Sequence, residues 1–167
     1  MSSVRLPKKM SIKVNNLTIL EHVINRISSI KKSKKIFIAT SKQKADDEIE
    51  EISKKYNVTI FRGNLTNVYK RYYELINTYN LDHFIRISGD SPLIDHNIIL
   101  KCYEIFCKNE YDIVTNKNPR SFPIGQTVEV INSNKFIESK KYVTSDFLKE
   151  HVTMQMYQNN YKYFNYL

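Results

Sequence analysis

Short β-branched runs alternate with stretches of helical period along almost the whole chain, and this alternation limits the possible folds more than any other feature. Runs rich in Ile, Val, Phe and Thr fall at 35–40, 58–61, 83–88, 111–115 and 127–131, with a last one at 161–167. Between them, apolar residues recur three and four apart. Leu20, Val23, Ile24 and Ile27 mark a helix over 18–30, opened by the capping-box residues Thr18 and Glu21. Ile49 and Ile52 mark a helix over 45–56, and Val68, Tyr72, Leu75 and Ile76 one over 65–79. Asp95 or His96 opens a helix running to Lys108, and two short helices are expected at 133–140 and 145–157. Strands separated by helices of this length join through crossovers, so the expectation is an α/β fold with a mostly parallel sheet.

The pattern begins with a loop and a helix, where an α/β fold would begin with a strand. In open α/β sheets, ligands bind beyond the carboxyl ends of the strands. The polar, basic opening Ser2-Ser3-Val4-Arg5-Leu6-Pro7-Lys8-Lys9 has the character of a ligand loop whose feeding strand is missing. Residues 1–167 read as a single domain short of its first strand. The chain also stops inside a strand-like run, which extends the same expectation of truncation to the carboxyl end. Loss of a central strand would bare two sheet edges and a face of each neighbouring helix.

Composition narrows the function classes. Lys outnumbers Arg 20 to 6 and the net charge is +9, a diffuse excess that favours polyanions without choosing nucleic acid over a triphosphate. The densest run, Lys31-Lys32-Ser33-Lys34-Lys35, lies between a helix and a strand and reads as a solvated connection. No helix-turn-helix, zinc-finger spacing or stacking motif supports a nucleic-acid module. Cys102 and Cys107 are five apart on a helical pattern, so they point in different directions and have no His partner. They read as free thiols of a reducing cytoplasm. No apolar run is long enough to span a bilayer and no secretory signal opens the chain, so the expected location is cytoplasmic.

Five constellations are candidates for chemistry. In Arg86-Ile87-Ser88-Gly89-Asp90-Ser91-Pro92-Leu93-Ile94-Asp95 a strand ends, Gly89 permits a tight turn, and Asp90 stands at the strand's carboxyl end. A carboxylate there can hold Mg²⁺ together with substrate phosphates, whereas Asp95 reads as a helix cap. Ser3, Arg5 and Lys9 offer a hydroxyl and cations to a triphosphate, with a frayed basic terminus as the alternative. Arg62 and Gly63 follow a strand on the same rim, and Arg62 either contacts nucleotide or makes surface salt bridges. Glu129, on an apolar strand, becomes a second carboxylate near the metal if it faces the cleft, and a solubilising residue if it faces out. His151, in Glu150-His151-Val152-Thr153, reads as structural more readily than as catalytic.

In order, these segments read S-S-x-R-L-P-x-K, L-x-E-H-V-I-x-R-I, F-R-G, R-Y-Y, R-I-S-G-D-S-P-L-I-D, G-x-x-V-E-V and E-H-V-T. The series resembles the spore-coat polysaccharide cytidylyltransferase family, which is related to the sugar-acid cytidylyltransferases that make CMP-sugars. The resemblance covers nearly the whole chain. It implies the nucleotide-diphospho-sugar transferase fold, which is Rossmann-like. It also implies a Mg²⁺-dependent transfer of CMP from CTP to a sugar or sugar acid, and a possible homodimer by analogy with related enzymes. On the matching positions it implies that Ser3, Arg5 and Lys9 hold phosphates and that Arg62, Gly63, Arg86 and Gly89 line the nucleotide. Asp90, with Glu129, would hold the metal. The chain departs from the family pattern in three ways: the strand before the loop is missing, Lys8 replaces a Gly, and Thr127 replaces an Asp. A degenerate, non-catalytic relative is the alternative reading.

Overall fold

The computed structural model describes residues 9–30 and 35–167. In chain order its regular elements are β1 (Lys13–Val14), β2 (Leu17–Thr18), α1 (Ile19–Ser28), β3 (Phe37–Ser41), α2 (Asp47–Lys55), β4 (Thr59–Gly63), α3 (Val68–Tyr79), β5 (His83–Ile87), α4 (His96–Lys108), β6 (Ile113–Thr115), β7 (Val128–Asn132), α5 (Ser133–Glu138), α6 (Asp146–Glu150), α7 (Met154–Gln158) and β8 (Tyr163–Asn165). The helices start where side chains can cap them. Thr18 Oγ1 accepts the Glu21 amide at 3.2 Å, and the Glu21 carboxylate accepts the Thr18 amide at 2.7 Å. This reciprocal pair satisfies two otherwise orphaned groups at the start of α1. Asn67 caps α3 and Asp95 caps α4, as expected for Asp95.

Two features depart from the sequence reading. Residues 13–18, for which no strand was expected, form the β1–β2 hairpin, turned by Asn15 and Asn16 at φ of 49° and 66°. Both central positions of such a turn need positive φ, which Asn tolerates better than most residues. The helix expected over 145–157 is broken into α6 and α7 at Val152, whose φ is 53°. A buried β-branched residue in that conformation is a strained break.

β3 and β4 pair in parallel, and a second sheet runs in the order β5-β7-β6-β8. Within the second sheet β7 is antiparallel to both neighbours, while β6 and β8 are parallel. β5, β6 and β8 therefore share one direction. The reversal of β7 has a local cause: no helix lies between β6 and β7, so the chain returns by a loop. The mostly parallel α/β sheet is borne out, with β7 as its reversed member.

Helices cover both faces. α1 and α4 close one side through Ile27, Ile30, Ile99 and Cys102, packed with Ile87, Val128 and Val130. α3, α5 and α7 close the other through Tyr69, Ile76, Phe136 and Met156, packed with Phe84, Ile113 and Ile131. Between β3 and β5, however, there is no pairing. A cavity of about 900 Å³ lies there, lined by both strands and by α1 and α3. The two strands that flank it are only partly buried, whereas β6 and most of β7 are fully buried.

Candidate active site

β5 ends at Ile87, and the turn that follows places Asp90 at the carboxyl end of the strand. Ser88 Oγ donates to Asp90 Oδ1 at 2.5 Å, and Lys9 Nζ donates to Asp90 Oδ2. The Lys9 and Asp90 side chains are 38% and 33% exposed, so the pair is reachable from solvent. Burial pushes the Asp90 carboxyl up, but the bonds from Lys9 and Ser88 outweigh it and hold the group below the ordinary carboxylate value. Gly89 lies under the Met10 side chain. A Cβ there would stand 2.2 Å from Met10 Cε, so that flexible side chain would have to turn aside. The turn is held from the far side by Gln126, whose side chain accepts the Asp95 amide at 2.8 Å and donates to the Leu93 carbonyl at 2.6 Å.

The structure thus brings Lys9, Gly89 and Asp90 together, as expected from the sequence. Ser3, Arg5 and Lys8 lie outside the described residues, as do 31–34 of the basic run. Of the two readings open for Arg62, nucleotide contact or salt bridges, the structure shows salt bridges. Arg62 donates to the Ser41 and Gln43 carbonyls at 3.0 and 2.8 Å, and its Nη1 lies 2.7 Å from Asp47 and 3.0 Å from Glu50. Its fork of donors is occupied by the protein itself. Gly63 is needed because Arg71 crosses it: a Cβ would lie 2.6 Å from Arg71 Cγ. Arg71 in turn binds the carbonyls of Asn64 and Leu65 at the start of α3. Gly63→Ala is expected to cost about 1–3 kcal/mol of stability by overpacking, measurable by urea unfolding.

Arg86 and Glu129 are also reassigned. They are directly opposed in the β5–β7 register. Arg86 Nη1 donates to Glu129 Oε2, while Thr153 Oγ1 and Tyr157 Oη each donate to Oε1 at 2.7 Å. Lys117 Nζ lies 3.8 Å from the same oxygen. Glu129 is 0% exposed, so its carboxylate is committed to this cluster and is not available as a second metal ligand. Burial pushes the Glu129 carboxyl up, but Arg86 and Lys117 with the two hydroxyls hold it below its ordinary value. The cluster explains the V-E-V and E-H-V-T segments together: Thr153 is the working residue of the latter. His151 is exposed at the end of α6 and lies tilted against Phe147, centroids 4.2 Å apart. Sequence reasoning missed Ser88, Lys117, Gln126 and Tyr157. Only Ser88, directly before Gly89-Asp90, carried a local signal.

These carboxylates set an acid limit. Burial pushes Glu21 up too, but its bonds from Lys55 and Thr18 win and lower it from 4.5 to about 2. Asp90, Glu129 and Glu21 are all lower in the fold than in the unfolded chain. Their stabilisation is therefore fully present above the ordinary carboxylate values and is lost as pH falls through the folded ones. For Glu21 that window runs from 4.5 to about 2. The urea midpoint is expected to hold steady from neutrality to about pH 5 and to fall steadily below about pH 4.

A divalent cation is implied by the resemblance, and the residues fit it in one way only. Among the described residues no cluster of three or more His, Cys, Asp or Glu could hold a metal ion. Asp90 alone suits a hard cation that keeps its waters and arrives with phosphate oxygens, as Mg²⁺ does. The nearby Thr127, where the family pattern has an Asp, supplies a hydroxyl that accepts from Arg120 at 3.3 Å. No helix among the described residues is long and apolar enough to cross a membrane.

A sequence family described as cytidylyltransferase matches residues 1–167. An uncharacterized protein of Methanocaldococcus jannaschii is 33% identical over 157 residues, covering 94% of this chain and 63% of that protein. The spore coat polysaccharide biosynthesis protein SpsF of Bacillus subtilis is 27% identical over 161 residues, covering 92% of this chain and 65% of that one. The chain thus spans somewhat under two thirds of the length of these relatives. Among solved structures, a cytidylyltransferase from Leptospira borgpetersenii superposes with a TM-score of 0.95 at 30% identity, covering 99% of this chain and 71% of that one. A CMP-2-keto-3-deoxy-manno-octonic acid synthetase complexed with CTP gives 0.70 at 10% identity over 96% of this chain and 84% of that one, a likeness of fold. By its match along the whole sequence and by its α/β architecture, the chain belongs to the cytidylyltransferase family.

Proposed function

We propose that this domain transfers CMP from CTP to a sugar or sugar acid in the assembly of a surface polysaccharide. The observation that carries the reading is the Lys9–Asp90–Ser88 cluster at the carboxyl end of β5, within a chain of this family. In the reaction a sugar oxygen attacks the α-phosphorus of CTP in line, the bond to the β-phosphate oxygen breaks, and pyrophosphate leaves. Asp90 would hold Mg²⁺, which neutralises charge developing on the phosphate oxygens. Lys9 would exchange Asp90 for the β- and γ-phosphates, joined by Ser3 and Arg5. The protein needs no nucleophile of its own, which agrees with the inert setting of Cys102, whose thiol burial pushes up to about 12. Its place of work would be the cytoplasm, where nucleoside triphosphates are made.

The test is Mg²⁺-dependent pyrophosphate release with a panel of sugar acids and each of the four nucleoside triphosphates. A preference for CTP of about tenfold or more is expected. Binding of CTP without turnover would mark a non-catalytic relative, and equal indifference to all four nucleotides would end the proposal.

A further inference from the structure

The segment between β6 and β7 brings a further cation to the rim that carries Asp90. β5 and β7 are opposed up to Ile87↔Val128, so Ser88 and Thr127 are the next positions across the pair. Residues directly opposed on antiparallel strands carry their side chains on one face, with Cβ atoms about 5 Å apart. Ser88 Oγ donates to Asp90 Oδ1, and Thr127 Oγ1 accepts from Arg120 Nη1 at 3.3 Å. Two neighbouring hydroxyls thus hold the Asp90 carboxylate and the Arg120 guanidinium on the same rim. Lys9 reaches Asp90 from the opposite flank: it directly precedes Met10, which lines the cavity on the β3 side of β5.

Arg120 is fixed at its backbone and open at its side chain. Asn116 closes the base of the segment, donating to the Gln126 carbonyl at 2.7 Å and accepting the Val128 amide at 2.9 Å. On either side of Arg120, the Pro119 carbonyl accepts from Asn165 at 3.0 Å and Ser121 Oγ donates to the Tyr166 carbonyl at 3.1 Å. The Phe122 ring packs on Tyr166, centroids 5.4 Å apart. Gly125, at φ of 91°, turns the chain back so that Gln126 reaches Leu93 and Asp95. A guanidinium has five N–H donors. Those of Arg62 and Arg71 are taken up by protein carbonyls and, for Arg62, carboxylates, and Arg86 is paired with buried Glu129. Arg120 is exposed and makes one bond, to a neutral hydroxyl, with no ion pair among the described residues. An Asp at 127, as in the family pattern, would neutralise it, whereas Thr127 leaves its charge whole.

We propose that Arg120 binds the α-phosphate of the nucleotide, from the flank opposite Lys9. The placement follows from the geometry of the proposed transfer, on which this inference rests. With the β- and γ-phosphates held on the Lys9 flank, the α-phosphate lies toward β7, beside Asp90 and within the reach of the 116–127 segment. A planar fork of donors suits two oxygens of one phosphate. In-line displacement leaves those two oxygens on phosphorus while the bond to the leaving oxygen breaks, so the same contact serves CTP and the CMP group of the product.

The test needs no turnover. Cytidine, CMP and CTP are titrated with Mg²⁺ into the unaltered protein, Arg120→Gln, Arg120→Lys and Lys9→Gln, and binding is followed by NMR shift changes. Arg120→Gln is expected to weaken CMP and CTP alike, by about 10–100-fold, and to leave cytidine unchanged. Lys9→Gln should weaken CTP and spare CMP. Arg120→Lys, which keeps the charge without the fork, should recover part of the loss. Because the side chain is exposed, Arg120→Gln should keep the urea midpoint of the unaltered protein. CMP and CTP bound as tightly by Arg120→Gln as by the unaltered protein would overturn the proposal. A loss confined to CTP would put the guanidinium on the β- or γ-phosphate, and an equal loss for cytidine would make Arg120 a structural residue of the loop; either result also overturns it. AMP and ATP, run alongside, separate this inference from the choice of nucleotide. If the unaltered protein binds them as well as CMP and CTP, the preference for CTP falls and Arg120 is judged by the same comparison with AMP. Failure to bind any of these phosphates would end both.

Discussion

Arg86→Met is expected to destabilise the protein by about 3–5 kcal/mol, the cost of leaving a buried charge without its partner. The substitution leaves Glu129 fully buried, with two hydroxyl donors and Lys117 at 3.8 Å in place of a direct cation. The effect is large because both residues sit in the interior of the sheet. Burial lowers the proton affinity of Arg86, but the adjacent Glu129 more than reverses this and fixes the charged form. The double replacement Arg86→Met with Glu129→Leu is expected to recover most of the loss, since removing both charges also removes the desolvation cost. Urea unfolding of the two single variants and the double one gives the coupling directly. Near-additive losses would mean that the pair is not the organising contact of this region.

Asp90→Asn is expected to do the opposite: little to stability and much to chemistry. The Lys9–Asp90 pair is about one third exposed on each side, and such pairs contribute roughly 0–1 kcal/mol. Asn keeps the shape and can still accept a bond from Ser88. It removes the one described carboxylate placed to meet a phosphate-borne cation at the end of β5. On the proposed reaction, kcat should fall on the order of 10²–10³-fold, the usual consequence of losing one preorganised electrostatic contact. A variant with normal turnover would assign the metal to other residues.

The contrast between Arg86 and Asp90 shows what was legible in the sequence. They are four residues apart in one motif, and the sequence treated both as site residues. Periodicity fixed the helices and strands because each repeats a local signal, as with Leu20, Val23 and Ile24. The role of Arg86 depends on Glu129, 43 residues away and brought opposite only by β5–β7 pairing. The partners of Arg62 and Gly63 were illegible for the same reason: Asp47, Glu50 and Arg71 sit on neighbouring helices. The position of Asp90 was legible because it comes from where the strand ends, which is a local property. The β1–β2 hairpin was legible in Asn15-Asn16 and was overlooked because its strands are two residues each.

The most direct measurement of the central claim is calorimetric titration of CTP into the protein and into its Asp90→Asn variant, with and without Mg²⁺. For the unaltered protein, Mg²⁺ is expected to raise CTP affinity by about tenfold or more. The variant should bind CTP alone as well as the unaltered protein does, and should lose the Mg²⁺ enhancement. The same enhancement in both proteins would contradict the assignment of Asp90 as the residue that meets the metal-bound triphosphate.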